Sequence, residues 1–161
     1  MTDRLVSYLH DHLAGSHFAI KLLGSLAEQY PHEELGKFAT ALKAEITLDQ
    51  RTLQKIADQA GKGHLDLMEA AGWVAEKASQ IKLHRDATEG GLGTFEALET
   101  LTLGIQGKMA LWRALPVIRE VDSRIPAEDY ARLLARAQSQ FGLAEEQRLK
   151  LASVTFEHAA K

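Results

Sequence analysis

Apolar residues recur at every third or fourth position through most of the chain, the period of a helix with one buried face, and no segment reads as a strand. The first predicted helix covers about residues 2–29, with Leu5, Leu9, Leu13, Ser16, Ile20, Leu23 and Ala27 on one side. Thr2 is its expected N-cap, and Asp3 suits the positive end of the dipole. Pro31 breaks the chain and fits the first turn of a second helix over about 32–60. That helix turns Leu35, Phe38, Leu42, Ile46, Asp49, Leu53 and Ile56 inward, and Gly61 stands where a helix commonly ends. A third helix is predicted over about 64–85 on Leu67, Ala71, Val74, Ala78 and Ile81, followed by the turn-rich "DATEGGLG". The fourth spans about 93–122 on Phe95, Leu98, Thr102, Ile105, Met109 and Trp112, and Pro116 is expected to kink or break it. Pro126, Glu128 and Asp129 open a fifth, running to about His158 with Tyr130, Leu133, Leu134, Ala137, Phe141, Ala144, Leu151 and Val154 on or near its inner side.

The first, second, fourth and fifth helices are each roughly 40–50 Å long at ~1.5 Å per residue, and rods of matched length point to a four-helix bundle. Tight turns join the first to the second and the fourth to the fifth. Roughly 30 residues separate the two pairs, enough for the third helix to travel much of a bundle's length. The expected fold is therefore all-α: two helical hairpins joined by a long crossover carrying a fifth helix, the ferritin-like topology. A chain of 161 residues fits one such domain, residues 1–161.

Composition excludes several functions. Without cysteine there is no disulfide, thiolate metal site or cysteine nucleophile. Lys and Arg number 19 against 22 acidic residues, and no basic patch stands out, so nucleic acid is not an expected partner. No apolar run approaches the ~18 residues of a membrane span, and "MTDRLVSYLHDH" lacks a signal pattern, so a cytoplasmic protein is expected. There is no "HExxH", and "GGLG" follows no strand, so it reads as a loop and not as a phosphate cradle.

The stretches "YLHDHLAGSHFAIKLL", "ELGKFATALKAEITLDQRTLQKIADQAG", "LDLMEAAGWVAEK" and "ALETLTLGIQGKMALWRAL" resemble the ferritin-like superfamily, nearest the small bacterial YciF-like stress proteins. The resemblance spans most of the chain and implies a ferritin-like bundle, with a link to stress physiology. Metal-binding members carry a Glu on each of two helices and Glu-x-x-His on the other two. Here no glutamate has histidine three residues later: Leu48, Thr102 and Arg148 follow Glu45, Glu99 and Glu145 at that spacing. The fourth helix offers Gly104 and Ile105 where the family places such a motif. Ferroxidase chemistry is therefore not carried over, and a non-catalytic bundle acting through association or small-ligand binding is the leading expectation.

Several polar residues bear on the alternatives. Asp49 shares the buried stripe of Leu42 and Ile56, with Glu45 one turn earlier. Two carboxylates in a dry core require a proton, a cation or an arginine. Glu45, Asp49 and Glu99 with His12 would form an atypical carboxylate-rich centre for iron or manganese. The plainer reading turns Glu45 to the bundle edge and pairs Asp49 with Arg148 or Arg113. Glu96 and Glu99 form the one Glu-x-x-Glu pair, and His10, His12 and His17 cluster on the first helix; both groups also read as solvated or boundary positions. Gly104 and Gly107 each cost roughly 1 kcal/mol against alanine within a helix. Close approach of another helix, or room for Trp73 or Trp112, would offset this. A small-molecule pocket among Ser16, Gly104, Gly107, Trp112 and Arg148 is the sharper alternative. Trp73, Trp112 and the spare face of the third helix suit a homodimer.

Overall fold

The computed structural model describes residues 3–61, 72, 76 and 90–157. These form four α-helices and no strand: α1 (Arg4–Gln29), α2 (Glu34–Ala60), α3 (Leu92–Val121) and α4 (Tyr130–Thr155). Apart from residues 72 and 76, the predicted third helix, with Trp73, lies outside the described residues, as does His158. Among the described residues no helix is long and apolar enough to cross a membrane.

The helix ends follow local chemistry. Asp3 caps α1, accepting from the backbone N–H groups of Leu5 and Val6 at 3.0 and 3.3 Å. The cap is thus Asp3 and not Thr2, because the carboxylate satisfies two orphan donors at once. α2 starts at Glu34, two residues later than expected, with Pro31 in the preceding turn. That turn is tight enough to require a glycine: a Cβ on Gly36 would lie 1.7 Å from the Tyr30 carbonyl oxygen. Gly61 closes α2 at φ 145°, a left-handed conformation that L side chains rarely adopt. α3 runs unbroken through Pro116. The proline ring sits on the exposed side, while Leu111, Trp112 and Leu115 anchor the turns around it in the core. α4 is capped by Asp129, which accepts from Arg132 N–H at 3.0 Å, so it begins past Pro126 and Glu128.

α1 packs along α2 and α3 along α4, and the two pairs meet through α1–α3 and α2–α4. One core cluster joins the end of α1 (Leu22, Leu23, Leu26) to the start of α2 (Leu35, Leu42), the start of α3 (Leu98, Leu101) and the end of α4 (Ala144, Leu151). The other joins Leu9 and Leu13 of α1 to Leu53 and Ile56 of α2, Leu111 and Leu115 of α3, and Leu133 of α4. All neighbours are therefore antiparallel, and α2 ends at the opposite end of the bundle from where α3 begins. Each end carries a polar tie. The Tyr30 and Thr94 hydroxyls share a buried 2.7 Å hydrogen bond between α1 and α3. At the other end Arg124 donates to Asp3, Asp122 and, at 2.9 Å, the Ala60 carbonyl. This arginine holds both carboxyls below their ordinary value.

The inward stripes are close to those expected, and Val154, 58% exposed, is the departure. Trp112 is buried on its expected stripe, 1% exposed, so it cannot serve a surface contact between copies.

Candidate functional site

At mid-height, α2 places Asp49 in its apolar stripe, 1% exposed. A lone carboxylate there would be costly to keep charged. Two cations meet it instead. Lys108 of α3 reaches Oδ2 at 2.7 Å, and the Arg136 guanidinium of α4 holds Oδ1. Gln140, one turn on from Arg136, completes the network. Its amide N–H donates to Asp49 Oδ2 at 3.1 Å and to Glu45 Oε2 at 3.0 Å, while its carbonyl accepts from the Lys108 ammonium. Burial pushes the Lys108 amine below the ordinary lysine value; Asp49 opposes this, and the Arg136 charge adds to it.

Asp49 and Glu45 thus come together, as their spacing implied, but through Gln140 and with Lys108 and Arg136 as partners. Arg148 and Arg113 do not reach Asp49: Arg113 is exposed, and Arg148 donates to Glu145 at 2.7 and 2.6 Å and to Glu99 at 3.2 Å. Glu99 is half-exposed and lies with Arg148 along a separate groove between α3 and α4, also lined by Thr102, Phe141 and Glu145. Neither Glu99 nor Arg148 joins the centre to which the sequence assigned it. Glu96 faces out, and exposed His17 bonds Gln50 at 3.0 Å. Among the described residues no three of His, Cys, Asp and Glu gather as a metal-binding group.

Beside the ion cluster, α1, α2 and α3 border a partly open cavity of about 220 Å³. Ala19, Ile46, Leu53, Ile105 and Leu111 form its apolar walls; Asp49, Lys108 and Trp112 also line it. Ser16, Gly104, Gly107 and Trp112, four of the five residues singled out for a pocket, line it. His12 does too, half-buried and edge-on to Tyr8 with ring centroids 4.8 Å apart. Burial lowers the His12 pKa below 6.5, with Asp11 opposing, so the ring is neutral at pH 7.

The glycines explain the space. A Cβ built on Gly15, Gly104 or Gly107 would meet nothing within 4 Å among the described residues. None of the other described helices approaches them closely there, and all three border the cavity. The Ser16 hydroxyl turns back to the Leu13 carbonyl at 2.7 Å, which keeps the side chain short and the wall open. The indole N–H of Trp112 is buried and has no hydrogen-bond partner among the described residues.

Compared with protein-family models, curated proteins and solved structures, the chain matches none.

Proposed function

We propose that this chain is a non-catalytic, ferritin-like bundle that binds a small, chiefly apolar molecule in the cavity between α1, α2 and α3. One observation carries the reading: three helical glycines border one cavity where alanine would fit and would favour the helix. Retaining them keeps volume at the cost of stability, the pattern expected where occupancy matters more than rigidity. The ferritin-like assignment draws support from the two antiparallel pairs and from α2 ending at the opposite end of the bundle from where α3 begins. The resemblance to YciF-like proteins supplies stress physiology as the setting.

The residues present do not suit the metal centre of that superfamily. Both Asp49 oxygens are taken by Lys108 and Arg136, so a divalent ion at this carboxylate would have to displace two protein cations. The donor set does not fit iron or manganese. For association, a homodimer through the exposed Leu103, Val117 and Val121 of α3 accompanies the proposal.

Titration with ethylbenzene, followed by thermal unfolding, tests the binding reading. Occupancy at 100 times Kd should stabilise the fold by about 2.7 kcal/mol. An unchanged Tm across a panel of benzene-sized apolar compounds would sink the reading. Stoichiometric iron or manganese in untagged protein, lost on Asp49→Ala, would favour the metal alternative.

A further inference from the structure

The buried rows of the bundle repeat. In α2, Leu35, Leu42, Asp49 and Ile56 stand seven residues apart and are all buried, as are Ile46 and Leu53. α3 shows the same interval in Leu101, Lys108 and Leu115. So does α4, in Tyr130, Ala137, Ala144 and Leu151 and again in Leu133 and Gln140. Seven residues are close to two helical turns, so sliding one helical pair along the other by about 11 Å sets leucine where leucine or isoleucine stood. Apolar burial alone therefore separates the native docking from the slipped one only weakly. Shape adds little at mid-height, where Gly15, Gly104 and Gly107 border the cavity and interlock with nothing among the described residues.

Asp49, Lys108 and Gln140 are the polar members of these rows, and they meet at one height. Asp49 of the first pair is bonded by Lys108 at 2.7 Å, by Gln140 at 3.1 Å and by Arg136, all of the second pair, while Gln140 reaches back to Glu45 at 3.0 Å. After a two-turn slide, Leu42 or Ile56 takes the place of Asp49, and the carboxylate is carried to the level of Leu101 or Leu115. Breaking a buried pair in this way disfavours the slipped docking by more than about a hundredfold. The network is not arranged for stability alone. Arg136 Nε is buried with no hydrogen-bond partner among the described residues, which costs free energy.

We propose that Asp49, Lys108, Arg136 and Gln140 form a register lock between the two helical pairs, selecting the native docking while adding little net stability over apolar residues of similar size. The lock holds whether or not the cavity takes a ligand.

The chain has no cysteine, so two spin labels can report the docking in the full-length protein. Lys55→Cys on α2 and Ala131→Cys on α4, both at exposed positions, carry them. Excess unlabelled chain restricts the measurement to distances within one molecule. With the network intact, pulsed electron paramagnetic resonance should give one narrow distance. Adding Asp49→Leu, Lys108→Met, Arg136→Met and Gln140→Leu should leave Tm unchanged or raise it, and a second, separate distance should appear from the slipped docking. A single native distance in that variant would show that the apolar rows set the docking unaided, and would overturn the inference. A variant that melts earlier or does not fold would overturn it too, because the network would then be supplying stability and not selection.

Discussion

Replacing Gly104 and Gly107 together by alanine should make the protein more stable and a worse binder. Both lie inside α3, where glycine costs about 1 kcal/mol relative to alanine. A new Cβ at either position meets no neighbour within 4 Å among the described residues, so none of these opposes the gain. The double variant should gain about 2 kcal/mol. For a chain of this length each kcal/mol moves Tm by about 2–4 °C, giving a rise of about 4–8 °C. The same methyl groups narrow the cavity, and forcing a ligand past them should cost about 1–3 kcal/mol, or roughly ten- to hundredfold in ethylbenzene affinity. Calorimetry or fluorescence melting measures the first effect and isothermal titration the second. A lower Tm in the double variant would refute the reasoning, since it would mean the glycines serve close packing.

Two further perturbations probe the site. Asp49→Ala leaves Lys108 and Arg136 without their shared carboxylate and should destabilise by about 3 kcal/mol, at the low end for a broken buried pair because Arg136 keeps 28% side-chain exposure; urea unfolding measures it, and a loss below about 1 kcal/mol would contradict the cluster's role. His12 has its folded-state pKa below the ordinary value of 6.5, so the unfolded chain binds a proton first as pH falls. Its contribution is fully present above 6.5 and is lost as pH drops from there through the folded-state value; His12→Gln should flatten that part of the stability–pH profile, and an unchanged slope would rule the assignment out.

Much of the frame was legible in apolar spacing. Leu35, Leu42, Ile46, Leu53 and Ile56 are buried where a 3.6-residue period puts them, and Asp49 stood out because it shares their stripe. Cap positions were less legible: Thr2 and Asp3 stand side by side at the start of α1, and only the bonds formed decide which of them caps it. The partners of Asp49 were missed because they lie 59 and 87 residues away, beyond any local pattern. A weaker signal existed. Lys108 is three residues from Ile105 and four from Trp112, and Gln140 falls between Ala137 and Ala144 at the same spacing, so both sit on buried stripes despite their polarity. Arg148 misled because its charge suits a buried acid, yet Glu145 one turn away is the nearer partner. Gly104 and Gly107 were recognisable as costly, but whether they admit a helix or a void depends on what lies opposite, which no spacing records.

The cavity belongs to neither helical pair alone. Its walls come from α1 and α2 on one side and from α3 on the other. Each pair is local in the chain, but the pocket exists only once the two have docked. A guest held there would therefore act as glue along the seam, making the joining of the halves, and not the folding of either, the step that responds to its concentration.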